Sequence, residues 1–305
     1  MLEAIIKDKI VAHLERNQIL SDSQHGFRSS RSCTTALLET LDMLSYELAR
    51  GNSVDALYTD FAKAFDKVSH STLINKLYES GINRKTIGWI SNYLHQRKQR
   101  VVMGECTSEW KDVTSGVPQG SVLGPLLFII FINDLPAKIK NLSKLYADDN
   151  KILSIVNNQV DHQSLQTDIN SSSEWCDQNY VKLNGDKCKI LHYGNKNTGY
   201  KYYIVTNGIM KELLVSNSEK DVGIIFNSNL QFTQHICKIV AKASRMLGLL
   251  INTFSHMDLV TYRTLYCAFV RPLLEFAEQI WSPYQQKDID KLERVQRIFL
   301  SLDRL

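Results

Sequence analysis

The chain has 305 residues, 44% hydrophobic and 22% charged, which excludes a disordered polymer and is ample for buried cores in two or three subdomains. Its net charge of +4 is too small to announce a polyanion-binding protein, so any nucleic-acid contact has to come from local stripes. Six scattered cysteines give neither a zinc spacing nor a disulfide framework, Glu3, Lys7, Asp8 and Lys9 exclude a secretory signal at Met1, and the longest apolar run, Pro125 to Ile132, is far short of the roughly 20 residues of a membrane span. The expectation is a soluble chain in a reducing intracellular compartment.

In chain order, the first 50 residues predict a helix, a loop Gln24-His25-Gly26-Phe27-Arg28 and a second helix from about Thr34 to Arg50. Val54, Ala56, Leu57 and Tyr58 read as a buried strand that ends at Asp60, and Ala62 onward holds good helix formers with Asp66 and Lys67 solvated. Helices near 71–80 and 84–94 precede a hairpin over 96–115, entered through the basic run His95-Gln96-Arg97-Lys98-Gln99-Arg100. A glycine- and proline-rich loop, Ser115 to Pro125, leads into a helix over 121–135. Two short strands then flank Tyr146-Ala147-Asp148-Asp149, followed by a helix near 160–179, a strand over 181–193, a polar turn at 194–199 and a strand over 200–205. From about 233 the pattern is helical. Over 233–251, Lys238, Lys242 and Arg245 recur at helical spacing while Ile239, Ala243, Leu247 and Leu250 mark an apolar side; helices over 256–271 and 288–302 follow.

Three segments carry chemistry. The Asp148-Asp149 pair sits at a tight turn, where Asp is tolerated because it adopts left-handed backbone angles cheaply; alone it reads equally as a solvated hairpin tip. Asp60 alone reads as a helix N-cap. Together the three carboxylates, at strand ends, match what two hard divalent cations need in order to activate a hydroxyl and stabilise a leaving pyrophosphate. The third segment, with Gly116, Gly120 and Gly124 between Pro118 and Pro125, offers a stiff backbone that a flat ligand can approach, although its spacing is neither the dinucleotide fingerprint nor the P-loop. No serine or cysteine nucleophile is required, because phosphoryl transfer needs positioning and charge neutralisation. His25 and His70 read as packing or hydrogen-bonding residues rather than bases.

Taken in order, these segments resemble the reverse transcriptase of non-LTR (LINE-type) retrotransposons, most closely the jockey-like branch. The resemblance runs from about Ile10 to Leu302 and includes Gln24 to Arg28 with Arg31-Ser32-Cys33, the Asp60 segment, Gly116 to Pro125, the Tyr-Ala-Asp-Asp box, Leu183-Asn184-Gly185-Asp186-Lys187 and Lys220-Asp221-Val222-Gly223-Ile224. It implies an α+β chain of right-hand polymerase architecture: partial fingers over 1–50, an antiparallel-sheet palm over 51–232 with a fingers insertion near 84–115, and a helical thumb over 233–305. It further implies RNA-directed DNA polymerase activity on an RNA template, a DNA primer and deoxynucleoside triphosphates, with no membrane partner, using two Mg²⁺ ions, or Mn²⁺, held by Asp60, Asp148 and Asp149.

By the same resemblance, Phe65 lies under the sugar and excludes a 2′-hydroxyl, Gln119 and Gly120 pack on the incoming nucleotide, and Lys187 assists the departing pyrophosphate. Without it, Phe65 reads as a core aromatic and Lys187 as a solvated turn residue. Lys238, Lys242 and Arg245 would track duplex phosphates, or form an ordinary solvated face. Relatives carry an Arg-Pro-Ile-Ser-like motif upstream of the Gln-His-Gly-Phe-Arg box; here Met1 to Ile6 would begin just after it, leaving Arg28 and Arg31 as candidate triphosphate partners. On this reading the chain is truncated at both ends, lacking an N-terminal endonuclease and anything after Leu305. Asn150 and Cys188 stand where relatives usually have Thr. The competing expectation is an inactive element remnant that keeps the palm fold and at most binds nucleic acid.

Overall fold

The computed structural model describes residues 2–206, 208–254 and 258–302. They form two units, one made of the chain up to Ala36 with Tyr46–Ser216, the other of Leu37–Ser45 with the chain from Asn217 onward.

The first unit opens with α1 (Leu2–Arg16) and enters α2 (Cys33–Ala49). Ser32 caps α2 reciprocally with Thr35, each hydroxyl accepting the other's backbone N–H. There follow β1 (Val54–Thr59), α3 (His70–Glu79), α4 (Arg84–Leu94), the two-residue strands β2 (Lys98–Gln99), β3 (Val102–Met103), β4 (Cys106–Thr107) and β5 (Lys111–Asp112), then α5 (Gly124–Ile132). Next come β6 (Leu142–Tyr146), β7 (Asp149–Ile155), α6 (Gln159–Gln178), β8 (Lys189–Tyr193), β9 (Tyr203–Thr206), β10 (Ile209–Glu212) and β11 (Leu214–Val215).

The central element is a five-stranded sheet of order β11-β8-β1-β7-β6. It is antiparallel except where β11 joins β8. β1 lies between β7 and β8 and is buried along almost its whole length, as a strand covered on both faces must be. α5 is buried on all sides, with every residue from Leu126 to Ile132 in the core, which explains why its sequence is apolar without helical periodicity. α4 instead shows a stripe, Ile87, Ile90 and Leu94, and starts at Asn83, whose side chain accepts from the Thr86 N–H. Asp168 of α6 is fully buried and accepts from the backbone N–H groups of Lys140 and Asn141, fixing the chain as it enters β6.

The second unit holds the hairpin β12 (Ser218–Asp221) and β13 (Ile224–Asn227), then α7 (Thr233–Thr253), α8 (Leu259–Leu265), α9 (Arg271–Glu275), α10 (Glu278–Trp281) and α11 (Gln286–Leu302). Its core joins Ala243, Leu247 and Leu250 of α7 to Tyr262, Tyr266, Val270, Val295 and Phe299, with the Phe299 ring stacked between Tyr262 and Tyr266. Among the described residues, no helix is long and apolar enough to cross a membrane.

Several sequence expectations need correction. The single strand over 181–193 is a strand only from Lys189, because Asn184-Gly185-Asp186 turns the chain first. The helix foreseen from Ala62 is one 3₁₀ turn, Ala64–Lys67: Lys63 adopts a left-handed φ of 55°, and the carbonyls of Phe65 and Val68 accept from Val117 and Gly116 instead of continuing a helix. The helix over 256–271 begins, in part, at residues outside those described. Within the described span Asp258 caps α8, and the helix then widens into a π-turn at Tyr266–Val270, ahead of Pro272, which has no N–H to continue the ladder.

Candidate active site

Asp60 follows directly on β1, and Asp148 lies in the two-residue turn between β6 and β7. β1 pairs with β7 in a register that ends at Thr59 opposite Asn150, so one further step sets Asp60 alongside Asp149. The sheet therefore delivers carboxylates that are 88 residues apart in sequence to one end of adjacent strands. Burial, and then the negative charge of Asp60, hold the Asp148 carboxyl above its usual range; a backbone hydrogen bond opposes them in part. Two like charges at one sheet end are unfavourable until a cation joins them. Lys187 supplies some of this, its Nζ standing 3.5 Å from Asp60 Oδ2. With the two side chains 66% and 39% exposed, that pair biases the local field more than it stabilises the fold.

The backbone of Asp60 is held from two directions. Its carbonyl accepts from the Asn184 N–H at 2.7 Å, and its own N–H points at the Cys188 sulfur at 3.5 Å. Burial pushes the Cys188 thiol up to about 11, so an uncharged sulfur faces the Asp60 backbone N–H. In the sequence, the one signal for this role of Cys188 is its place directly after Lys187.

Phe65 is half-buried on the 3₁₀ turn, its ring stacked on Phe128 of α5 with centroids 4.3 Å apart. The Gly-Pro loop is tied to the same turn. Gln119 Nε2 donates to Asp66 Oδ1 at 2.8 Å, Ser115 Oγ donates to the Asp66 carbonyl at 2.9 Å, and His70 Nε2 lies 2.8 Å from the Gly116 carbonyl. Asp66, read as merely solvated, is thus exposed but anchors the loop. Gly120 is exposed at φ +80° with open space where a side chain would stand, so its backbone is accessible to a ligand.

Gly116 is the close-packing point. At φ +91° an added Cβ would meet the Asp66 Cα and carbonyl oxygen at 2.8 Å. Gly116→Ala is expected to lower unfolding stability by about 3 kcal/mol, from left-handed strain and backbone overlap together. Urea denaturation checks it; an unchanged midpoint would contradict this packing.

The remaining candidates fall elsewhere. Arg28 is engaged inside the protein, its guanidinium bridging both oxygens of Glu15 on α1 (3.1 and 2.9 Å) and the Ser21 carbonyl at 2.8 Å. Its side chain is 9% exposed, and Arg28, the candidate triphosphate partner, here ties the loop to α1. Arg31 is less enclosed and pairs with Asp22 at 2.8 Å. Lys238, Lys242 and Arg245 form an exposed row on α7, turned away from the buried Ala243, Leu247 and Leu250, within the second unit. The 95–112 hairpin is exposed throughout, with Arg97 over the Tyr93 ring and Arg100 over the Trp110 ring.

An antiparallel sheet that brings acidic residues from a strand end and a neighbouring turn together, beside a loop open to a ligand, is the frame of a nucleotide-polymerising palm. The family described as reverse transcriptase (RNA-dependent DNA polymerase) matches residues 1–249, and the chain belongs to it. It is similar to the RNA-directed DNA polymerase from mobile element jockey of Drosophila funebris (26% identical, covering 97% of this chain and 33% of the relative). It is also similar to the probable RNA-directed DNA polymerases from transposon X-element (25%, 97% and 33%) and transposon BS (27%, 96% and 34%) of Drosophila melanogaster. The chain spans about a third of the length of these curated relatives. Among solved structures, apo telomerase from Candida tropicalis has a similar fold, at TM-score 0.57 and 11% identity, over 98% of this chain and 50% of that one.

Proposed function

We propose that this chain is the polymerase part of a non-LTR retrotransposon reverse transcriptase, extending a DNA primer along an RNA template with deoxynucleoside triphosphates. The observation that carries this reading is the sheet register that sets Asp60, at the end of β1, beside the β6–β7 turn with Asp148 and Asp149, in a chain of the reverse transcriptase family.

Carboxylate oxygens are the donors that Mg²⁺ takes. Among the described residues, no three His, Cys, Asp or Glu side chains are gathered tightly enough to form a metal cage. Nucleotide-handling enzymes need no such cage, because Mg²⁺ there uses one or two carboxylates and completes its shell with water and substrate phosphates. Asp60, Asp148 and Asp149 would hold two Mg²⁺ ions, or Mn²⁺, on those terms. When bound, the ions supply activation of the primer 3′-hydroxyl and neutralisation of the leaving pyrophosphate. Lys187, beside Asp60, would add positive charge where pyrophosphate departs. Phe65, backed by Phe128, would present a fixed wall to the sugar, and the loop at Gln119 and Gly120 an open backbone to the nucleotide. Lys238, Lys242 and Arg245 would add salt-dependent phosphate contacts without reading sequence.

The test is primer extension by the purified chain on an RNA template annealed to a DNA primer, with Mg²⁺ and deoxynucleotides. Incorporation templated by the RNA is expected. Salt-dependent binding of template–primer without incorporation under Mg²⁺ or Mn²⁺ would overturn the polymerase reading in favour of an inactive remnant.

A further inference from the structure

The Gln24-His25-Gly26 loop lies against β6 as an extra parallel pairing. The His25 N–H donates to the Leu145 carbonyl and the Leu145 N–H to the Ser23 carbonyl, both at 2.8 Å. The loop thereby reaches the turn that carries the acidic pair. Gln24 is 1% exposed, and its Oε1 accepts two backbone N–H groups, from Gly26 at 2.7 Å and from Ala147 at 3.0 Å; its Nε2 points back at the Ala147 carbonyl at 3.5 Å. Ala147 is the one turn residue with a left-handed φ, 56°, a conformation that glycine takes readily and alanine takes only when held there. Gly26 completes the fit: a Cβ added to it would stand 2.5 Å from the Ala147 nitrogen.

We propose that Gln24 is a positioning residue for the acidic turn, its buried amide locking Ala147 in the left-handed state so that Asp148 and Asp149 are presented from a fixed backbone, with Gly26 the small residue that permits this approach. Only an amide fits the task in full, because it accepts from two N–H groups and donates to a carbonyl from the same side chain. Leucine fills similar space but leaves two buried N–H groups without an acceptor; glutamate keeps the acceptor and loses the donor. The catalytic consequence rests on the polymerase reading, whereas the structural one does not.

The test compares wild type with Gln24→Leu, Gln24→Glu and Gly26→Ala, and with Leu77→Ala as a core change in α3, where Leu77 is fully buried. Hydrogen exchange of the 145–149 segment, Mn²⁺ binding by electron paramagnetic resonance, and kcat and KM for the incoming nucleotide are measured. In Gln24→Leu the Ala147 amide is expected to exchange roughly tenfold or more faster, as follows from losing its buried acceptor, with Mn²⁺ affinity and kcat falling by a similar factor and KM little changed. Gly26→Ala should reproduce this and Gln24→Glu should recover most of it. Leu77→Ala should lower the melting temperature while leaving exchange at Ala147 and Mn²⁺ affinity as in wild type. Wild-type exchange at Ala147 in Gln24→Leu would overturn the proposal, even if the chain polymerises. If wild type fails to polymerise while the exchange pattern holds, the polymerase reading falls and the positioning role stands.

Discussion

Asp148→Asn is expected to abolish primer extension, lowering it by roughly a thousandfold or more, while making the metal-free protein more stable. The loss follows from removing a carboxylate where several kcal/mol of transition-state charge stabilisation would be delivered, at about 1.4 kcal/mol per decade of rate. The gain follows from the raised pKa. Relative to its ordinary 3.8, the folded Asp148 carboxyl binds its proton more tightly, because of burial and Asp60. Its ionised form therefore costs stability, and that cost appears as the pH rises from 3.8 through the raised folded value and persists at neutral pH. Asparagine removes the cost at every pH above that window. Thermal melting at pH 7 and at pH 3, with primer extension alongside, separates the two effects: a higher melting temperature at pH 7 only, with no extension, is expected. Surviving activity would sink the assignment of Asp148, and an unchanged melting temperature would sink the account of its charge.

Asp55→Ala is expected to cost about 3–5 kcal/mol of stability, because it leaves the partners of a fully buried carboxylate uncompensated. Asp55 sits near the start of β1, away from the Asp60 end. Its Oδ1 accepts from His192 Nδ1 at 2.6 Å and Asn197 Nδ2 at 2.7 Å, and its Oδ2 accepts from the Tyr202 hydroxyl at 2.6 Å. His162 of α6 joins through Tyr202, 2.9 Å from its hydroxyl, and lies flat against the Tyr200 ring. Burial, and then Asp55, push the Tyr202 hydroxyl far up, so its proton stays on the hydrogen bond. One carboxylate thus ties β1 to β8, to α6 and to the chain over 197–202. Urea denaturation measures the loss, and a double-mutant cycle with Tyr202→Phe should show coupling above about 1 kcal/mol. Additive effects would mean that these residues do not act as one network.

The candidate site was legible in the sequence to the extent that its residues sit at element ends. Asp60 closes an apolar run, Asp148 and Asp149 interrupt two others, and glycines and prolines punctuate the loop. Such breaks in local pattern are visible without a fold, and the ordered series of boxes gave the resemblance that the family match upholds. Helices with clear apolar stripes, such as α4 and α7, were legible for the same reason. The short turn after Phe61 was not: helix-forming residues there yield to hydrogen bonds from Val117 and Gly116, more than 45 positions away.

Buried polar partnerships were the least legible. No local pattern marks Asp55, the hub of a buried network, and none shows that Arg28 closes onto Glu15. The sequence by itself determined which residues could be acidic ligands, strand ends and helix faces, since these depend on residue chemistry and near neighbours. Only the tertiary structure decided which polar groups face one another across the sheet, because register and packing choose the partner of each buried donor and acceptor, and an unpaired one is too costly to leave.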